Sequence, residues 1–468
     1  DLVRSRGLGD VYKRQGQTID GKSAINDLSW LVLEATANQK VIQPSVSVRW
    51  WNECPDDFLL KCCEVINIHR GGQPAMYSDE VIIPSQMGVG ISLEDAYDYA
   101  IDGCVSPTEP GKARREGPSA GYNMHKVLEV ALFNGRDPRT GIRLCPNPEN
   151  KDLSTFQSFD EVMAAVKHQL EYYDRQGAIA LLCIERAYAE LTPTPFASAL
   201  MDDCIQRGKD IEWGGAHYNT LFLRGVGMSN VGNSLAAIKK LVFEDRKLTG
   251  AQIMHALETN FEDTSTTPTG PEIQQMLLAA PKYGNDDDYV DLLVKEATGH
   301  AMRDVRRYTS WTGGRGGFAL LPVSQNVPFG ELIGATPDGR KADIPVAEGC
   351  SPTRGTDVKG PTAAVKSVAK LDHVLADNGS LLNQKFNPIV LKDISGLRKL
   401  AALIKTYFDL KGMHIQFNVV SAETLREAQK HPEKYTDLMV RVAGYSALFV
   451  SLDPAMQEDI IMRTEHSM

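Results

Sequence analysis

The sequence predicts an α/β architecture, and three observations carry that reading. Amphipathic helical periods alternate with short apolar runs of strand length along 468 residues. No internal repeat, low-complexity stretch or long linker interrupts the alternation. Hydrophobic residues make up 42% and charged residues 24%, the balance of a globular chain with a sizeable core. The net charge of −10 is spread without long single-sign runs, which argues against a nucleic-acid-binding surface. No stretch has the length of a membrane span and no secretory signal is visible, so a cytoplasmic location is expected. The eight cysteines (54, 62, 63, 104, 145, 183, 204, 350) show no CxxC and no paired zinc spacing. Free thiols in a reducing compartment, with no metal ligand set, are expected.

Residues 1–15 are basic and aperiodic and read as a non-native leader, so that the domain begins near Gly16, already in mid-fold. Residues 20–39 have apolar positions at helical spacing after a polar start. Residues 44–50, PSVSVRW, read as a strand, and 55–68 as a helix opened by proline and acids. Residues 121–135 read as a helix closed by glycine, and 159–191 as one or two long buried helices. Residues 234–245 and 286–308 are amphipathic helices. Near the end, 413–420 (MHIQFNVV) is a strand, and 421–432 a helix with Ser421 as N-cap and Glu423 beside it. Residues 435–452 are extended around a turn, and 453–464 form a closing helix.

Two loops stand out. Residues 102–118, DGCVSPTEPGKARREGP, are rich in Gly and Pro and place Cys104 on a constrained loop, where functional residues concentrate. A lone cysteine is more often a small buried hydrophobe. The run LMVRVAGYSALFV carries Gly444 inside a strand-like pattern, where glycine weakens a strand and usually marks a turn or bulge. Taken together, these segments resemble the glycyl radical enzymes, the family of pyruvate formate-lyase and the radical diol dehydratases, decarboxylases and alkylsuccinate synthases. RVAGYSALFV resembles the glycine loop, with Gly444 at the radical glycine, and DGCVSP the thiyl-radical loop, with Cys104 at the catalytic cysteine. The stretches from Pro328 to Asp372 and from Met413 to Tyr435 match in the same order.

The resemblance implies the C-terminal portion of a ten-stranded α/β barrel surrounded by helices. Residues 16–340 would be the barrel part with the cysteine loop, and 341–468 the glycine radical domain. It implies a protein-based glycyl radical made by a separate radical S-adenosylmethionine activating enzyme that carries the iron–sulfur cluster. A homodimer or larger oligomer, with small subunits in some branches, is also implied. An α-carbon radical flanked by an amide nitrogen and a carbonyl is stabilised by both, and glycine lets a thiol approach without a Cβ in the way. The Cys S–H and Gly Cα–H bonds are similar in strength, so hydrogen can pass between Cys104 and Gly444. The two positions lie 340 residues apart, so the fold must bring two loop tips together.

The reaction is read from departures. Where related dehydratases and decarboxylases carry a Cys-x-Glu acid/base, this chain has Ser106, and a serine hydroxyl does not titrate near pH 7. Glu109 is the nearby alternative acid/base. Gln325 and Asn326 replace a His-Val pair before PFG and resemble the fumarate-adding synthases. Arg114, Arg115 and Gln325 are then the expected donors to fumarate, which a hydrocarbon radical would attack. The alternatives are a glycyl radical lyase, dehydratase or decarboxylase, and, outside enzymes, a radical-carrying spare-part subunit. The cysteine loop and the core between the two loops favour an enzyme.

Overall fold

The structure, a computed structural model, describes residues 16–114 and 119–467, and the backbone of 11–14. Two sheets form its frame. Strands β1 (Val11–Arg14), β2 (Ser45–Trp50) and β3 (Ala75–Ser78) run parallel in sequence order. Two hairpins follow in the chain. The first joins β4 (Ala100–Asp102) to β5 (Ser106–Thr108). A second sheet takes β6 (Ser119–Asn123), β7 (Leu221–Val226) and β8 (Gly316–Ala319), all parallel, with β7 central. Strands β9 (Asn383–Phe386) and β10 (His414–Val419) pair in parallel, and β10 closes antiparallel onto β3. The second hairpin joins β11 (Met439–Arg441) to β12 (Ser446–Leu448). The sheets continue into one another where Leu320, just past β8, bridges Ser380, just before β9.

Period-two alternation decides which face meets what. Val48, Trp50, Met76, Phe318, Ile415, Phe417 and Val419 point outward into the main apolar core. There they meet helices α1 (Asp27–Gln39), α2 (Asp56–His69), α3 (Met124–Leu132), α4 (Phe159–Leu191), α5 (Met228–Ile238), α6 (Asp288–Val305) and α7 (Ile394–Asp409). The alternate residues of β2 and β10, namely Ser45, Ser47, Arg49, His414, Gln416 and Asn418, are polar yet buried. A parallel sheet covered on both faces ordinarily reads apolar throughout. Here one face holds hairpin backbone, whose polar groups need partners. A smaller apolar cluster on that face contains Ala75, Tyr77, Ala319, Leu381, Val105 and Ala443, with Cys104 and Tyr445 against it.

The predicted order of elements holds, with local differences. Helix α1 begins at Asp27, because the Asn26 side chain caps it. Residues 121–123 belong to β6, and helix α3 starts only at Met124. Residues 159–191 form one helix of 33 residues. Past Ile238 the chain winds as a π-helix over Lys239–Glu244. Val11–Arg14, set aside as leader, pair with β2 at the sheet edge. Strands β7, β8 and β9 (LFLRGV, GGFA, NQKF) are short and carry glycine or buried polar residues, so no apolar run announces them. Ser421 caps helix α8 (Ala422–Lys430), its Oγ accepting the Thr424 N–H at 3.1 Å. Helix α9 (Pro454–Met462) closes the chain. No helix among the described residues is long and apolar enough to cross a membrane.

Candidate active site

Cys104 sits at the centre of the β4–β5 turn, between Gly103 in the left-handed region (φ 54°) and Val105. Gly444 sits in the β11–β12 loop, which the Val442 N–H closes onto the Tyr445 carbonyl at 2.9 Å. The two tips touch backbone to backbone. A Cβ added to Gly444 would lie 2.1 Å from the Cys104 Cβ and 2.3 Å from its Cα. Gly444 is not among the glycines with positive φ. Close approach, not a left-handed turn, therefore requires glycine here. The fold brings together the two positions that the sequence singled out.

Each hairpin is anchored by inward-facing strand residues. The Tyr77 hydroxyl on β3 donates to the Cys104 carbonyl at 3.1 Å. On β10, Asn418 accepts the Arg441 N–H at 2.7 Å and donates to the Arg441 carbonyl at 2.8 Å. Gln416 donates to the Ala443 carbonyl at 2.6 Å, and Asn383 on β9 to the Val442 carbonyl at 3.4 Å. Ser446 donates to the Gly71 carbonyl at 2.7 Å. The Arg441 side chain is 1% exposed and passes over Gly72 (φ 84°), where a Cβ would lie 2.5 Å from the arginine Cβ. It donates to neutral acceptors, Gln416 Oε1 at 2.7 Å and the hydroxyls of Ser446 and Ser45. Burial lowers its affinity for the proton. Burial, with the Arg441 charge second, also holds His414 well below the ordinary imidazole range, so this ring is neutral at pH 7. Its ring lies 4.7 Å from that of Tyr77.

The other expected residues divide. Ser106 is buried beside the cysteine turn and donates to the Asn378 carbonyl at 3.3 Å. Glu109 is buried one residue past β5, where its carbonyl caps the turn to Lys112 and Ala113. Gln325 is near the glycine loop through its neighbour: the Ser324 hydroxyl and the Tyr445 hydroxyl are 2.6 Å apart. The Gln325 Oε1 is buried without a hydrogen-bond partner among the described residues, over Gly121. Asn326 instead donates to Asp459 at 3.2 Å.

Arg114 corrects the expectation that it would receive a dianion. It is buried, with Nη1 on Glu185 at 3.1 Å and Nε on Glu212 at 3.0 Å, and its Nη2 also bonds Glu212. Two carboxylates already saturate the fork, so it is neither a solvated surface arginine nor an open anion receptor. Arg115 lies outside the described residues. Sequence reading missed the cradle of Tyr77, Asn383, Gln416, Asn418 and Arg441. The signal was present in HIQFNV: polar residues at every second position of a buried strand mark a polar interior face. It also missed the strained loop beside Gln325, where Val323 (φ 45°) and Ser324 (φ 68°) are left-handed without being glycine.

Comparison with known proteins agrees with this geometry. The protein named Probable dehydratase YbiW, from Escherichia coli K12, is 42% identical over 99% of this chain and 58% of its own length. Trans-4-hydroxy-L-proline dehydratase of Clostridioides difficile is 40% identical over 96% of this chain and 56% of its own. The glycerol-bound B12-independent glycerol dehydratase of Clostridium butyricum superposes with a TM-score of 0.92 at 47% identity, covering 98% of this chain and 57% of that one. The chain thus spans a little over half the length of the relatives it matches. These likenesses lie with dehydratases, not with the alkylsuccinate and benzylsuccinate synthases that Ser106 and Gln325 had suggested. Residues 15–330 match the family described as pyruvate formate lyase-like and residues 346–450 the one described as glycine radical. With its cysteine and glycine hairpins in backbone contact inside an α/β barrel frame, the chain belongs to the glycyl radical enzymes of the pyruvate formate lyase-like superfamily.

Proposed function

We propose that this chain carries the radical machinery of a dehydratase acting on a small hydroxylated substrate. The radical is stored at Gly444 and relayed through Cys104. The observation that carries the reading is the contact of the two tips, in which nothing separates the glycine Cα from the cysteine backbone. The activities named for the relatives favour water elimination over fumarate addition. So do the buried polar groups beside the cysteine turn, the Ser106 hydroxyl and the Asn378 carbonyl that it bonds, which suit a hydroxylated substrate better than a hydrocarbon.

The chemistry is a relay of hydrogen atoms. Gly444, as an α-carbon radical, takes the hydrogen of the Cys104 thiol. Cys104, now a thiyl radical, takes hydrogen from a substrate carbon that bears a hydroxyl or an amine and lies next to the carbon bearing the hydroxyl to be lost. The heteroatom on that carbon releases a proton while the neighbouring hydroxyl takes one and leaves as water, so that a neutral product radical remains. The product radical recovers its hydrogen from Cys104, which regains its own from Gly444. Ser106 positions a hydroxyl, and Glu109, the buried carboxylate of the loop, is the proton donor or acceptor assigned to the elimination. Making the Gly444 radical falls to a separate radical S-adenosylmethionine activating enzyme, as this family requires.

Anaerobic activation of the full chain should give a glycine-derived EPR doublet that collapses on α-deuteration of glycine. Brief exposure to air should cut the chain just before Gly444. Cys104→Ala should keep the doublet and lose turnover of glycerol, 1,2-propanediol and trans-4-hydroxyproline. Turnover by Cys104→Ala, or an intact chain after an activated sample meets oxygen, would sink the assignment.

A further inference from the structure

Gln416 lies at the centre of the inward face of β10 and is fully buried. Its amide orientation is set by chemistry. A guanidinium has donors and no acceptor. The Gln416 Oε1, 2.7 Å from the Arg441 Nε, must therefore be the oxygen, and the NH2 must face the other way. That NH2 donates 2.6 Å to the Ala443 carbonyl and 2.5 Å to the Asn383 Oδ1. The chain of polarity runs from a buried cation, through one side-chain amide, into the peptide bond between Ala443 and Gly444. The nitrogen of that peptide bond belongs to Gly444.

We propose that Gln416 tunes the Gly444 radical by polarising the Ala443–Gly444 amide. A radical at the Gly444 Cα draws electron density from its own nitrogen and delocalises into its own carbonyl. A strong donor on the Ala443 oxygen pulls the nitrogen lone pair toward that oxygen, and the cation beyond Gln416 reinforces the pull. Less of the lone pair is left for the radical carbon. The Gly444 radical is then less stabilised than in an unconstrained peptide, and its Cα–H bond correspondingly stronger. The hydrogen transfer from Cys104 breaks one S–H bond and forms that one Cα–H bond, so the polarised amide favours the thiyl side. Gln416 is a positioning residue in this account: it touches neither substrate nor thiol. The other strand amides of the cradle reach the Val442 and Arg441 backbone, one and two residues farther from Gly444 than Ala443.

The inference rests on the assignment of the radical to Gly444, and one experiment separates the two. The activated full chain, Gln416→Met, Gln416→Glu and Asn418→Ser are compared by EPR and by 14N electron–nuclear double resonance, after thermal melts on the unactivated proteins. Gln416→Met has the length of glutamine without its donors, and Gln416→Glu retains an acceptor for Arg441. Both should move spin from the α-carbon to the nitrogen, giving a narrower α-proton doublet and a larger nitrogen coupling. Both should lower kcat by about tenfold to hundredfold with little change in KM, the scale of one lost hydrogen bond to a strongly polarised group. Asn418→Ser should lower the melting temperature and leave the doublet splitting unchanged. An unchanged splitting in both Gln416 variants, or an equal narrowing in Asn418→Ser, overturns the tuning and leaves the radical assignment standing. Absence of any glycine doublet in the parent chain overturns the assignment, and the tuning with it.

Discussion

At Gly444 a side chain is excluded by contact rather than by dihedral angle, and that sets what a substitution does. Alanine there needs no left-handed backbone, yet its methyl would lie 2.1 Å from the Cys104 Cβ and 2.3 Å from its Cα. Gly444→Ala should push the hairpin tips apart and cost about 1–3 kcal/mol of overpacking. It should also abolish the glycine EPR signal, and urea unfolding measures the first effect independently of the second. Arg114 makes the opposite point. Its guanidinium holds Glu185, which is 1% exposed and whose proton affinity is raised chiefly by burial and offset by that arginine. Arg114→Met should strand a buried carboxylate and cost about 3–5 kcal/mol, read as a fall in the urea midpoint. A variant of unchanged stability and altered substrate affinity would instead return Arg114 to the site.

Strand β10 works as a template because its two faces have different tasks. Ile415, Phe417 and Val419 bury apolar surface under the helices, while Gln416 and Asn418 complete the hydrogen bonds of the glycine hairpin. The hairpin cannot pair like a sheet edge, since its turn faces the cysteine turn. Side-chain amides substitute for the missing strand. Asn418→Ala should leave the buried N–H of Arg441 without its partner, at about 1–3 kcal/mol, and its carbonyl with only the longer 3.4 Å bond from Arg463. Ser421→Ala, at the half-buried start of α8, removes one cap and should cost about 1 kcal/mol. Equal urea midpoints for the two variants would show that the amide template contributes no more than an ordinary helix cap.

At the scale of the whole molecule, the C-terminal segment docks on the 346–357 loop through charge as well as apolar contact. Arg354 and Arg463 both pair with buried Asp459, and His466 approaches Asp357 at 3.1 Å. These groups line a cavity of about 30 Å³ together with Glu348. Glu348 accepts from Ser351 at 2.6 Å, and burial pushes its carboxyl up to about 7, with Arg463 opposing. A carboxyl raised in the folded state holds its proton between about 4.5 and 7, where the unfolded chain releases it. Its contribution to stability is therefore present below the unfolded value and lost as pH rises through 7. The shift corresponds to at most about 3 kcal/mol. Glu348→Gln should gain stability over the parent at pH 8 and lose that advantage at pH 5, as measured by urea unfolding. The buried neutral rings of His125, His373 and His414 act with the opposite slope below their ordinary range in both proteins, so the difference isolates Glu348. A parent–variant difference that is flat with pH would contradict the raised carboxyl.

What the sequence determined by itself was what lies in local pattern and in short motifs. The 3.6-residue period of 159–191, the Ser421 cap and the order of strands and helices are properties of neighbouring residues. RVAGYS and DGCVSP carried the family for the same reason, as each motif is one hairpin tip. Only the tertiary structure decided what the side chains of those regions face. It turned Arg114 to two carboxylates, placed Gln325 behind the loop that Ser324 ties to Tyr445, and made Gln416 and Asn418 the partners of the glycine hairpin. Those partners come from strands and helices remote along the chain. The direction of a buried polar side chain is set by whichever unpaired donor or acceptor the fold brings to it, and no period in the sequence encodes that.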